Sequence, residues 1–93
     1  LFINHKQSNK MKFRAEIDIM PLKALLDPQG KAVTASMGNV GLAEIKNVRI
    51  GKHITLEIDA ENKEIANEKI TESCTKLLAN QIMESFEFTL EEV

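Results

Sequence analysis

Lys12-Phe13-Arg14-Ala15-Glu16-Ile17-Asp18-Ile19-Met20 changes character at almost every residue. Phe13, Ala15, Ile17 and Ile19 fall on one side, and Lys12, Arg14, Glu16 and Asp18 on the other. Side chains of an extended backbone alternate between faces, so this period of two predicts a strand with one face in a core and one in water. Pro21 ends it, because proline has no N–H to give to a ladder.

Working outward, Leu26-Asp27-Pro28-Gln29-Gly30 opens a helix. Asp27 suits the cap, where a carboxylate accepts from orphan backbone N–H groups, and Pro28 suits the first turn. Ala32, Val33, Ser36, Met37 and Val40 then recur at helical spacing, and Gly38, Asn39 and Gly41 stop the run. Residues 43–59 read as two strands: Ile45, Val48 and Ile50 in the first, Ile54, Leu56 and Ile58 in the second. Gly51-Lys52 is the hairpin signal between them. A second helix is predicted over 62–80. Ala66, Ile70, Cys74, Leu77 and Gln81 form a narrow apolar stripe with Leu78 beside it. Glu64, Asn67, Glu68 and Glu72 form the wet face, and Asn80 is the stop. Phe86, Phe88 and Leu90 alternate with Glu87, Thr89 and Glu91 in a closing strand over 82–93.

The predicted order is strand, helix, strand, strand, helix, strand. That is an α+β, ferredoxin-like βαββαβ arrangement: an antiparallel four-stranded sheet with both helices on one face. The other face is polar. Residues 1–10 read as an upstream or vector-derived tail, and 11–93 as a single domain; the alternative for Leu1, Phe2 and Ile3 is a native first strand.

Composition narrows the function. The 93 residues are 43% hydrophobic and 28% charged, which is a folded and not a disordered profile. Twelve basic against fourteen acidic residues, net −2, lack the positive field of a nucleic-acid binder. No apolar run nears the roughly 18 residues of a membrane span. The single cysteine, Cys74, rules out an internal disulfide and fits a reducing cytoplasmic setting. A domain of this size buries a modest share of its surface and gains from association.

The chemistry-bearing residues form no site in sequence. Cys74 falls on the apolar helix stripe and His53 on an outward strand face, so neither has a ligand partner at metal spacing. Gly38-Asn39-Val40-Gly41 is not followed by the Lys-Ser/Thr of a phosphate loop. Phe13, Phe86 and Phe88 share the inward register, where an RNA-recognition sheet needs its aromatics outward. Arg49 and Asn47, the residues an acylphosphatase-like site would use, precede Gly51 in a predicted strand and not in a glycine-rich loop. No catalytic residue, cofactor site or metal site is assigned.

Three segments carry a family resemblance: Leu26-Asp27-Pro28-Gln29-Gly30, Val48-Arg49-Ile50-Gly51-Lys52 and Lys76-Leu77-Leu78-Ala79-Asn80. In this order and spacing, from Met11 to Val93, the chain resembles the PurS family, the small subunit of phosphoribosylformylglycinamidine synthase. Residues 37–47, rich in glycine, depart most from the family pattern. The resemblance implies a non-catalytic subunit in the fourth step of de novo purine biosynthesis. It would bridge a glutaminase subunit and a large synthase subunit, so that ammonia from glutamine reaches formylglycinamide ribonucleotide. It implies no cofactor in this chain, ATP and Mg being used by the large subunit, and self-association to a homodimer or tetramer. The expected partner-interface residues are Asp27, Gln29, Gly30, Arg49, Gly51, Lys52 and Asn80. The alternative is a free-standing ferredoxin-like domain that binds a small regulatory molecule.

Overall fold

The computed structural model describes residues 10–93. The reading of residues 1–10 as a tail therefore lies, Lys10 excepted, outside the described residues. The element order is β1 (Met11–Pro21), α1 (Pro28–Met37), a 3-10 turn (Gly38–Val40), β2 (Lys52–Ala60), α2 (Lys63–Ser73) and β3 (Glu84–Glu92). The class is α+β, with an antiparallel sheet in the order β2-β1-β3.

The alternation of β1 made it the centre of this sheet. Ile17 stands opposite Ile54 on one side and Phe88 on the other, and Ala15 opposite Leu56 and Leu90. Residues opposite in an antiparallel ladder share a face, so the apolar sets of three strands coincide. α2 lies across all three strands. Its Ile70 and Cys74 pack with Ala15, Ile17, Ile19 and Ala79, while Ala66 packs with Phe13 and Ala60. Each large side chain buried this completely stabilises the fold by about 1.5–3 kcal/mol. Cys74 is the expected core thiol, and burial pushes its pKa up.

The sheet has three strands among the described residues, not four, and the hairpin expected at Gly51-Lys52 does not form. The segment before β2 is irregular. Asn47 takes a left-handed φ of 59°, which breaks an extended run. Its backbone donors are also engaged elsewhere. Val48 N–H donates to Thr34 Oγ1 at 3.0 Å, and Ile50 N–H donates to Asp27 Oδ2 at 3.0 Å. An apolar pattern marks residues suited to burial, but a strand also needs free N–H groups.

The helices depart from expectation in two ways. α1 starts as predicted, with Asp27 Oδ1 accepting from Gly30 N–H at 3.0 Å, and the run ends at Gly41, whose φ is 83°. However, it buries only Gly30 and contributes no residue to either core cluster, so it does not share the sheet face that α2 covers. α2 is capped by Asn62, whose side chain accepts from Ile65 N–H. It runs on into a π turn, Cys74–Leu78. That wider turn adds a residue to the register. Leu77, placed on the stripe by its spacing, is 81% exposed, and Leu78 packs against the core instead. Asn80 is not the helix stop. Ala79 is already extended, and Asn80 begins the turn into β3.

Candidate functional site

Asp27 ties the start of α1 to the approach to β2. One carboxylate oxygen accepts from Gly30 N–H and the other from Ile50 N–H. These two bonds, Ile50 first, with Arg49 nearby, hold its carboxyl below the usual range. The packing there needs glycines. A Cβ on Gly30 would stand 2.2 Å from the Val48 carbonyl oxygen, and one on Gly51 would stand 2.3 Å from that of Ile19. A third element arrives through Asn80. Its Oδ1 accepts from Ile82 N–H at 2.9 Å and Met83 N–H at 3.2 Å, and its own N–H donates to Glu84 Oε1 at 2.7 Å.

These ties enclose a cleft of about 430 Å³. Asp27, Gln29, Gly51, Lys52 and Asn80 line it, so five of the seven residues expected from sequence converge although up to 53 positions separate them. Gly30 lies beneath it, in contact with Val48 and Asp27. Arg49 does not join it: its Nη2 donates to the Pro21 carbonyl, and it borders a separate groove with Asn47 and Lys31. The guanidinium thus ties the approach to β2 to the end of β1. Pro21, Leu25, Ile50, Met83 and Glu84 complete the lining. Sequence reasoning missed them because strand periodicity assigned each to a strand or a connection. The signal for Met83 and Glu84 was their place just after Asn80.

A second cluster lies on the open sheet face. His53 stands opposite Asp18, with Nδ1 2.6 Å from Asp18 Oδ1 and Nε2 2.7 Å from Glu16 Oε1. Both ring nitrogens face carboxylates, and both can donate to them together only when the ring is protonated. The Asp18 hydrogen bond and then that of Glu16 raise its pKa above the ordinary 6.5. Glu87 faces Asp18 from β3, and Thr55 and Glu57 follow His53 on the same face of β2. A raised pKa stabilises the fold fully below 6.5, and that contribution is lost as pH rises through the folded value. Thermal melts of the wild-type chain minus those of His53→Gln should therefore shrink as pH rises through that window. A difference that grows with pH would contradict the imidazolium bridge.

Among the described residues there is no group of three or more His, Cys, Asp or Glu that could hold a metal ion, and no helix long and apolar enough to cross a membrane. Asp27, one of the two carboxylates that line the cleft, has both oxygens on backbone N–H groups. Fold and cleft together define a small α+β domain with a cleft where the start of α1, the start of β2 and the turn before β3 meet.

Comparison with known proteins is consistent with that class. Residues 14–92 match the family model of PurS, phosphoribosylformylglycinamidine (FGAM) synthase. The PurS subunit of phosphoribosylformylglycinamidine synthase from Bacillus subtilis (strain 168) is 32% identical over 81 residues, covering 87% of this chain and 95% of that protein. The B. subtilis PurS structure in its C2 crystal form matches at a TM-score of 0.78 with 31% identity, over 86% of this chain and 99% of that one. A chain of the PurLQS structure from Thermotoga maritima matches at 0.76 with 33% identity, over 88% of this chain and 98% of that one. The chain belongs to the PurS family of phosphoribosylformylglycinamidine synthase.

Proposed function

We propose that this chain is the small, non-catalytic subunit of phosphoribosylformylglycinamidine synthase, acting in the fourth step of de novo purine biosynthesis. It bridges the glutaminase and large synthase subunits, so that ammonia from glutamine reaches formylglycinamide ribonucleotide. It needs no cofactor of its own; ATP and Mg serve the large subunit. Its setting is the cytoplasm. The observation that carries this reading is the match to a chain of a PurLQS structure over 88% of the present chain. What supports the docking role is the convergence of Asp27, Gln29, Gly51, Lys52 and Asn80 on one cleft, with Gly30 and Arg49 bracing its walls.

Self-association to a homodimer or tetramer belongs to the same reading. Val33, Val40, Leu42 and Ile45 are exposed around α1, and Ile54, Leu56, Phe86 and Phe88 on the outer strands are only half-buried. Apolar surface of that extent is ordinarily covered by a partner.

Reconstitution tests the proposal. Glutaminase and large subunit should form formylglycinamidine ribonucleotide from glutamine only when this chain is added, and ammonium supplied directly should relieve the requirement. Full glutamine-dependent synthesis without it would refute the bridging role. The cleft also leaves a second reading open to measurement, a small-molecule regulatory domain; an amino acid or nucleotide bound by the isolated chain would favour it.

A further inference from the structure

We infer, independently of the subunit reading, that residues 22–50 form a strap that opens and closes as one unit while the sheet and α2 stay folded, with Asp27 as its latch. Both core clusters draw on the three strands, on α2 and on the turns around it, and no residue between 22 and 50 belongs to either. Within that stretch only Gly30 is buried. A segment with so little buried apolar surface has little to set against its own chain entropy. It therefore reaches open states at a lower free energy than the core does.

What holds the strap is polar and local. Asp27 spans it, one oxygen accepting from Gly30 N–H at the start of α1 and the other from Ile50 N–H at the far end. Thr34 Oγ1 accepts from Val48 N–H and donates to the Gly30 carbonyl at 2.8 Å. Among the described residues, its hydrogen bonds to the rest of the chain run from Leu22 N–H to the Met83 carbonyl and from Arg49 to the Pro21 carbonyl. Both lie at its ends, and no ion pair joins it to the sheet among those residues. The ends therefore act as hinges, and the Asp27 and Thr34 bonds close the strap on itself. Leu26, Asp27 and Ile50 form one wall of the cleft and belong to the strap; Lys52, Asn80 and Met83 form the other and do not. The cleft thus exists only while the strap is closed, and any group bound between the walls holds it shut by mass action.

Amide hydrogen exchange of the full chain, read residue by residue at two protein concentrations, tests this. The Lys31, Val48 and Ile50 amides should have protection factors about a hundredfold or more below those of Ala15 and Ile17 in β1. The three should agree with one another within a few-fold, because one opening exposes them all. Ile17→Val weakens the core alone, so it should lower protection in β1 by about fivefold and leave the strap amides unchanged. Asp27→Asn gives up one charged acceptor and should lower strap protection by about tenfold. Thr34→Val, which removes the acceptor for Val48 N–H, should act in the same direction and carries the latch test if Asp27→Asn does not fold. Strap protection that equals that of β1 at the lower concentration, or that falls with it in Ile17→Val, would mean that the strap opens only when the whole domain unfolds, and would overturn the proposal. So would Val48 or Ile50 protected like β1 beside a fast Lys31, which is fraying of α1 and not one unit. Unchanged strap protection in a folded Asp27→Asn chain would remove Asp27 as the latch.

Discussion

Ile17→Ala should destabilise the fold by about 3 kcal/mol, within the roughly 2–5 kcal/mol range for truncating a buried aliphatic side chain. For a domain of this size that lowers the melting temperature by roughly 12–24 °C at fixed protein concentration. The reason lies in its position. Ile17 is fully buried on the central strand, opposite Ile54 and Phe88, in the cluster that Ile70 and Cys74 cover from α2. Neighbours on three sides are fixed by two ladders and a helix, so the cavity does not collapse readily. Leu56, half-buried on an outer strand, should lose less when changed to alanine. Denaturant melts of the two variants give the comparison, and an equal or smaller loss at Ile17 would contradict β1 as the centre of the core.

Gly51→Ala should cost about 1–3 kcal/mol although Gly51 is exposed, a position at which substitutions are usually neutral. The added Cβ would stand 2.2 Å from Met20 Sδ and 2.3 Å from the Ile19 carbonyl oxygen. A methionine side chain moves aside; a ladder carbonyl does not. The start of β2, where Lys52 stands opposite Ile19, must shift, and Lys52 moves with the cleft wall. The contrast is Gly38→Ala, where the nearest atom is the Ala43 Cβ at 4.0 Å. There alanine narrows the unfolded ensemble and is neutral or stabilising by about 0.4–1 kcal/mol. A Gly51→Ala chain as stable as Gly38→Ala would mean that β2 does not approach β1 so closely.

The strands that formed, Met11–Pro21, Lys52–Ala60 and Glu84–Glu92, are those with clean alternation. The strand that failed to form had Ile45, Val48 and Ile50 at uneven spacing, and two of its N–H groups went to Asp27 and Thr34. Leu77 was misplaced for a related reason: a helical stripe assumes a constant turn, and the π turn at Cys74–Leu78 breaks that assumption. Of the site, Asp27 as a cap was legible because Pro28 and Gly30 follow it; its second role, as acceptor for Ile50 N–H 23 residues away, was not.

The sequence by itself determined the three cleanly alternating strands, the starts of both helices, the Asp27 cap, the buried face of β1 and, through three short motifs, the family. These are local properties: period, cap chemistry and residue identity all act within a few positions of the chain. Only the tertiary structure decided that three strands pair, that α1 stays out of the core, that Arg49 braces Pro21, and that Asp27, Lys52 and Asn80 meet at one cleft. Those outcomes depend on which backbone donor reaches which distant acceptor, and that is settled by packing in space and not by spacing along the chain.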